Sequence, residues 1–557
     1  MRDSIDRLFL ECHGEPSTGA AGLPLMRRRR HGRPSSPETA RPHTPRRHRA
    51  YTEVHNSSKW RTSTPGTPPS GACVPSCPNP TTDPQDYTMN ENHAPADPTK
   101  RPLTEHHGIS WIDDSRRHGR ERDQFSMRFA PVVYLAPVVL GGAGIPLGLG
   151  LIGSVTAIVV GNLLGSLATA ACAVMGPRLG IPQVTMSRAS FGYRGNYLPA
   201  FLGILLFIGY FSLGTVLGAR SLANLTGLPY PPMVAVVGGL SVLIAVFGYD
   251  TLQAVGQWLT RVSLVVFGTV SVAVVLHGTG PATSSHTASG HYLTTWLLVC
   301  SIVFSYTVSW TIYASDYSRY LPASGRAGSM FLWAFGGIFT SATWMMVLGA
   351  ALTMLAGGDP LAGLGIVLPD PLLKTVLVVL VIGALSHNAV NLYSGAMAGL
   401  TCDLPLRRTT VVVAGGAVGC ALSVVMGGSN FQSHFNTFLL MVSYFVMPWL
   451  AILLIDFYRT HQGGRGYPRP TVFHDKNGPY RGTRPRALLA FFLGIGAAVP
   501  FMATDAYTGP IGHMLGGADI SYATSFAVAT VTYGLLRKPH AATEPSAIDP
   551  ALTQKVS

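Results

Sequence analysis

Apolar runs of about the length that crosses a bilayer recur from Phe129 to Leu536, and they constrain this chain more than any other feature. A bilayer core asks for about 20 consecutive apolar residues per helix. The runs predict spans 1–6 at Phe129–Leu149, Ile152–Met175, Leu198–Ala219, Pro231–Tyr249, Leu259–Leu276 and Thr295–Tyr313. Spans 7–12 are predicted at Gly328–Leu355, Thr375–Ala398, Thr410–Met426, Phe438–Ile455, Ala487–Ala503 and Ile520–Leu536. A soluble protein built from so many full-length apolar helices would have no polar exterior. Charge agrees: 12% of residues are charged, against about 25% in soluble globular chains. The expected fold class is an all-α integral membrane protein of about twelve transmembrane helices, set in the bilayer of the cell (plasma) membrane.

Orientation follows from Lys and Arg, which favour cytoplasmic loops. Arg116, Arg117, Arg120, Arg122 and Arg128 precede span 1, and Arg178, Arg188 and Arg194 follow span 2. Arg319 and Arg326 follow span 6, Arg407 and Arg408 follow span 8, six arginines lie between spans 10 and 11, and Arg537 and Lys538 follow span 12. Opposite loops such as Asn224–Tyr230, His277–Thr294 and Gly427–Thr437 carry neither residue type. Both termini are therefore expected in the cytoplasm. The formal charge of +14 reads as topology and not as a nucleic-acid footprint. Cys172, Cys300 and Cys420 lie within spans and read as small apolar packers.

Residues 1–88 differ in kind, being rich in Pro, Arg, His, Ser and Thr, a composition that cannot bury enough apolar surface to fold. Cys73 and Cys77 are spaced like half a metal site, but no second pair follows. No apolar stretch resembles a secretory signal. Met89 opens a segment that reads like an ordinary start, so residues 1–88 are expected to be dispensable or untranslated.

The motifs are ordered along the chain. The loop after span 2 reads Gly176-Pro177-Arg178-Leu179-Gly180-Ile181-Pro182-Gln183, then Ser187-Arg188-Ala189-Ser190-Phe191-Gly192. Its glycines and prolines stop a helix and force a turn, which Arg178 and Arg188 are expected to hold. The end of span 6 reads Tyr313-Ala314-Ser315-Asp316-Tyr317-Ser318-Arg319-Tyr320-Leu321-Pro322. Asp316 and Arg319 are three apart on one helix face and can pair. Span 8 reads Asn388-Ala389-Val390-Asn391-Leu392-Tyr393-Ser394, and Gly516-Gly517-Ala518-Asp519-Ile520-Ser521 precedes span 12. Together these resemble the purine–cytosine permease branch of the nucleobase–cation symporter-one family, over about residues 105–537.

The resemblance implies two inverted five-helix repeats plus two C-terminal helices, a sodium-symporter-like fold. The chain then divides into 1–88, a cytoplasmic lead-in at 89–128, repeats at 129–276 and 295–455, a cytoplasmic loop at 456–486, two extra helices at 487–536 and a tail at 537–557. Spans 1 and 6 would be broken near the membrane centre, where unwound backbone can bind solute and ion. Span 1 fits, being interrupted by Pro131, Pro137, Gly141 and Gly142. Span 6 offers only Ser305, Thr307 and Ser309, with no Gly or Pro in its middle.

A flat heteroaromatic solute is held by aromatic faces and by an amide that reads its edge, since Asn offers one acceptor and two donors. Asn388 and Asn391 are the candidates, with hydrogen bonding between helices as the plainer alternative. The resemblance carries both over as substrate contacts and gives the same stretch part of a sodium site. Where the family has an aromatic and then an amide in span 3, this chain has Tyr210 and Gly214. Span 6 offers Phe304, Tyr306 and Trp310 as stacking partners, with core packing the alternative for each. Span 1 has Arg128, Val132 and Tyr134 where relatives commonly have Trp and Asn. The thinner set of amides favours a less polar or differently substituted heterocycle, such as a pyrimidine precursor of thiamin or a modified base.

Ser386 and His387 are the candidates for cation coupling. Hard cations want oxygen ligands, which Ser386 can supply, whereas an imidazole carries protons near neutral pH. The coupling ion is H+ or Na+, with the proton expected because His387 stands where some relatives have a second hydroxyl. Asp316, Arg319 and Arg178 are the candidates for an inner gate or structural motif. No cofactor, resident metal or nucleic-acid partner is expected, and nothing in the sequence sets an oligomeric state. The expected function is a secondary transporter importing a nucleobase or related heterocycle by cation symport. Two other classes compete. A membrane-embedded enzyme would need an acid pair, a metal cluster or a nucleophile beside a base in the spans. A non-transporting receptor would need a folded signalling module.

Overall fold

The structure, a computed structural model, describes residues 108–278, 292–428, 431–467, 470–504 and 507–536. The expectations for residues 1–88, including Cys73 and Cys77, for Met89 and for the tail at 537–557 lie outside the described residues. Within them the chain is helical, and the β pairing is one isolated bridge between Ala503 and Thr508.

Among the described residues nine helices are long and apolar enough to cross a membrane. They are span 2 (Gly150–Leu179), span 3 (Tyr197–Thr226), span 4 (Tyr230–Phe247), span 5 (Tyr249–His277), span 6 (Tyr292–Ser318), span 7 (Ala327–Ala356), span 8 (Asp370–Thr401), span 9 (Arg408–Met426) and span 10 (Phe431–Thr460). Span 1 is a pair, Asp123–Val132 and Leu135–Gly144, bent by 69° at its break, and makes a tenth if counted as one. The segments of spans 11 and 12 form the shorter helices Pro485–Phe501 and Ser521–Leu536. Among the described residues, length and apolarity alone thus give nine or ten crossings, and the helices of spans 11 and 12 fall short of that length.

Burial sorts the helices. The most apolar windows of spans 6 and 8 are 89% and 78% buried, whereas those of spans 4, 5 and 9 are 33%, 33% and 22% buried. Large apolar side chains stand exposed along the outer helices, among them Val265, Val272 and Val275 on span 5 and Val424 and Val425 on span 9. Water would not tolerate that surface over whole helices, and lipid does.

Span 1 starts at Asp123, six residues before the predicted Phe129, because a reading by hydropathy stops at Arg128. That arginine lies inside the helix, fully buried, donating to the Gln124 side chain and to the Ala314 carbonyl at 2.7 Å. The break falls at Val133 (ψ 73°) and Tyr134 (φ −147°, ψ −175°), between the two prolines. Pro137 has no N–H for the Val133 carbonyl, so continuing the helix through this point would cost a hydrogen bond and a ring clash. Placed in the first turn of the second half, it costs neither.

Span 6 is interrupted without Gly or Pro. Its α-helix ends at Val308, a tighter 3-10 turn runs Ser309–Tyr313, and α-helix resumes at Ala314–Ser318. Hydroxyls compete for the backbone here: Ser309 donates to the Tyr306 carbonyl and Thr311 to that of Val308, each at 2.7 Å. Such back-bonding perturbs helices. The two interrupted helices each head a run of five.

The turn after span 2 is held differently from expectation. Arg178 is exposed, and it is Arg117 that donates to the Pro177 carbonyl at 2.7 Å and to that of Ile112 at 2.9 Å. Arg188 does hold its segment: fully buried, it donates to the Phe473 and Thr401 carbonyls at 2.8 Å and covers the Tyr193 ring.

Asp519, from the Gly-Gly-Ala-Asp motif, clamps the last helices. Its carboxylate accepts from the Tyr444 hydroxyl of span 10, from the Ala503 N–H at 2.9 Å and from the Ser521 N–H at 3.0 Å, while its own carbonyl accepts from Ser301 of span 6 at 2.6 Å. Asp519→Ala strands several buried donors at once, each worth about 1–3 kcal/mol. The expected result is a loss of about 3 kcal/mol or more, read as a lower thermal midpoint of the purified protein. A midpoint equal to wild type would remove the clamp from the account.

Candidate functional site

Span 8 lies against the break in span 1, and the approach is very close. A Cβ on Gly383 would lie 1.7 Å from the Val133 carbonyl oxygen, so only glycine fits. One turn on, His387 meets the other freed carbonyl. Its Nδ1 is 3.2 Å from the Pro131 oxygen and its Nε2 is 3.1 Å from the Tyr134 hydroxyl. A carbonyl only accepts, so Nδ1 donates to it, and Nε2 then accepts from Tyr134. Both ring nitrogens are engaged.

Aromatic rings surround this imidazole. Tyr134 stacks on it at 4.3 Å and 21°, Tyr210 meets it edge-on at 6.1 Å, and Trp310 lies tilted at 6.3 Å. Further rings extend the wall: Tyr313 is 5.2 Å from Trp310, Phe207 is 5.3 Å from Tyr313, and Phe438 is 5.1 Å from Tyr210. Sequence reasoning missed Phe207, Tyr313 and Phe438. The signal for two of them was a spacing of three: Phe207 precedes Tyr210, and Tyr313 follows Trp310 in a 3-10 turn where i and i+3 eclipse. Phe304 is not brought to this cluster, since its ring packs on Tyr522 at 4.6 Å.

The amides of span 8 complete the site. Asn388 Nδ2 donates to Thr215 Oγ1 at 2.8 Å, and Asn391 Nδ2 donates to the His387 carbonyl at 2.9 Å. Gly214, where an amide was missing from span 3, is what admits Asn388: a Cβ there would lie 2.1 Å from Asn388 Oδ1. The Oδ1 atoms of both asparagines are buried without a hydrogen-bond partner. Unsatisfied buried acceptors are costly, about 1–3 kcal/mol each. Ser386 is also buried. Among the described residues no group of three or more His, Cys, Asp or Glu is placed to hold a metal ion.

Beyond this cluster the motifs of span 6 and of the loop after span 2 dock on each other. The Gln183 N–H donates to Asp316 Oδ1 at 2.9 Å, and Gln183 Oε1 accepts from the Ser315 N–H at 3.1 Å. Ser315 and Ser318 donate to the Cys172 and Ala173 carbonyls of span 2. Arg319 donates to the hydroxyls of Tyr320 at 3.0 Å and Tyr393 at 3.2 Å, and Tyr317 donates to the Val390 carbonyl of span 8 at 2.8 Å. With Arg128 on Ala314, one layer of polar contacts thus joins spans 1, 2, 6 and 8. Asp316, Arg319, Tyr134, Tyr210, Trp310, His387, Asn388 and Asn391 are each at most 2% exposed.

Comparison with known proteins adds to this geometry. Residues 111–524 match the family described as permease for cytosine/purines, uracil, thiamine, allantoin. The chain is 34% identical over 442 residues to the Bacillus subtilis (strain 168) protein named "Putative purine-cytosine permease YxlA", covering 77% of this chain and 95% of that one. It is 24% identical over 415 residues to a purine-cytosine permease of Emericella nidulans, covering 70% and 79%. Among solved structures it resembles Mhp1, a nucleobase-cation-symport-1 family transporter in a closed conformation with bromovinylhydantoin bound. The TM-score is 0.64 at 17% identity, over 78% of this chain and 94% of that one, a likeness of fold.

Proposed function

The chain belongs to the family of permeases for cytosine/purines, uracil, thiamine and allantoin, and from that premise we propose that it imports a flat nucleobase-like heterocycle across the plasma membrane together with a cation. It is a multi-pass membrane transporter, not an enzyme. The observation that carries the substrate class is the pair of unsatisfied amide oxygens, Asn388 Oδ1 and Asn391 Oδ1, on the helix whose His387 is ringed by Tyr134, Tyr210 and Trp310. Two buried acceptors suit the N–H edge of a heterocycle, and the rings suit its faces, where stacking contributes about 1–3 kcal/mol per base in nucleic-acid proteins. The hydantoin bound in Mhp1 is a small heterocycle of the same kind. Phe304, packed on Tyr522, has no part in this reading.

Burial of the whole cluster supports alternating access: solute enters and leaves only when the packing around the site opens. On one side the layer Arg128–Ala314, Gln183–Asp316 and Arg319–Tyr393 would serve as the gate and would have to part. The arginine pattern supports placing that side, and both termini, in the cytoplasm. The two runs of five helices, spans 1–5 and 6–10, are read as the inverted repeats, with the interrupted spans 1 and 6 at equivalent positions. The coupling ion is read as a proton. His387 bridges span 8 to the freed Pro131 carbonyl, the kind of oxygen that would hold a metal cation in this fold, and a ring that gains a proton brings positive charge to that place.

Uptake of radiolabelled bases by vesicles, with pH and sodium gradients imposed separately, tests the reading. Uptake of no heterocycle under either gradient would overturn it. Asn391→Ala is expected to weaken solute affinity roughly ten- to hundredfold, the equivalent of about 1–3 kcal/mol, with protein levels near wild type. If levels fall while affinity holds, Asn391 is a packing residue.

A further inference from the structure

Where the lead-in to span 1, the end of span 2 and the start of span 7 meet, the molecule has a cleft of about 640 Å³. Its rim carries Arg120, Arg122, Arg178 and Arg326, all exposed. Its one carboxylate, Glu121, is already committed: Oε1 accepts from the Arg326 N–H at 2.7 Å and Oε2 from the Ser329 hydroxyl at 2.9 Å. Trp333, 44% exposed, closes the cleft. The same tryptophan lines a neighbouring cleft of about 340 Å³ that adds Arg261 and Asp123, and Asp123 accepts from the Arg120 N–H at 2.8 Å. Beside Trp333 the apolar Leu332 is 60% exposed on span 7.

We infer that this cleft is a binding site for the phosphate headgroup of an anionic phospholipid. The rule that arginines favour one side of a membrane explains their presence near it. It does not explain their convergence on a single cleft whose carboxylate is occupied by backbone and serine. Basic clefts between transmembrane helices, at headgroup level, take anionic lipid heads. An exposed tryptophan at such a place marks the membrane–water boundary, and the apolar surface of span 7 beside it suits an acyl chain. The cleft walls come from both five-helix runs, so a bound headgroup would tie the two together at this end.

The test uses the purified full-length protein extracted from membranes of mixed phosphatidylglycerol and phosphatidylethanolamine, with retained lipid identified by native mass spectrometry. Wild type is expected to retain phosphatidylglycerol about tenfold or more over its share of the membrane. The triple variant R120Q/R122Q/R326Q is expected to lose that preference, and R326K to keep it. If the triple variant does not yield folded protein, R326Q alone carries the comparison, because Arg326 meets Glu121 through its backbone N–H. A wild type without preference, or a preference that survives the glutamines, overturns the proposal. Displacement of retained lipid by millimolar inorganic phosphate would identify a free-anion site and overturn the assignment to lipid.

Discussion

Gly383→Ala is expected to abolish transport. The added methyl carbon would sit 1.7 Å from the Val133 carbonyl oxygen, and the obstacle is backbone, so no side chain can swing away. Span 8 would have to lift from the break in span 1. The hydrogen bond from His387 to Pro131 and the stacking on Tyr134 lie one turn away and would open with it. Overpacking of this kind costs about 1–3 kcal/mol in stability, but the larger effect is on the site, whose groups must hold position to a fraction of an ångström. Gly415→Ala is the matched control, since its methyl would meet only Leu392 at 3.7 Å, an ordinary contact. Uptake at the wild-type rate by the Gly383 variant would mean that span 8 does not rest on that break during transport.

His387→Gln is expected to separate binding from coupling. A glutamine amide is able to donate to the Pro131 carbonyl and accept from the Tyr134 hydroxyl, the two bonds the imidazole makes. It takes up no proton. Solute affinity should stay within about threefold of wild type, since neither hydrogen bond is lost outright. Concentrating uptake under a pH gradient should vanish, leaving exchange of solute down its own gradient. His387→Thr removes the titratable ring and restores a hydroxyl beside Ser386, so a response to sodium is expected there. The wild type provides the decisive comparison: uptake that requires sodium and ignores an uncoupler would leave His387 as a packing residue.

Much of this was legible in the sequence, because hydropathy is a bulk property of whole segments. The order of the spans followed from it. The break in span 1 came from the family resemblance, which Pro131, Pro137, Gly141 and Gly142 fitted, and the structure places it between the two prolines. The interruption of span 6 was harder to read. Its cause is a run of hydroxyls, Ser309 and Thr311 among them, bonding back to carbonyls one turn earlier, and such residues also sit quietly in straight helices. Arg128 was placed outside the membrane because a lone guanidinium looks too costly to bury; its partners, Gln124 and the Ala314 carbonyl, become visible only in three dimensions. For the same reason Arg178 was given the task that Arg117 performs, sixty residues away from the carbonyl it holds. At the site, the motifs named the polar residues of span 8 but not their arrangement. That Gly214 gives up its own side chain so that Asn388 can lie there is a fact about two helices, and neither reveals it alone.

The Asp519 clamp has a consequence for how the protein is made. The Ser301 hydroxyl and the Asp519 carbonyl that accepts its bond are 218 residues apart in the chain. At about 5–20 residues per second of synthesis, span 6 waits roughly 10–40 s after emerging before that partner exists. Tyr444 of span 10 waits for the same aspartate. Until then the Tyr444 hydroxyl lacks this acceptor, and Ser301 bonds only within its own helix, to the Leu297 carbonyl. A ribosome that stalls before Gly516 would therefore release a product with nearly every apolar segment in place and its closing bonds absent, which is the kind of surface that membrane quality control can recognise as unfinished.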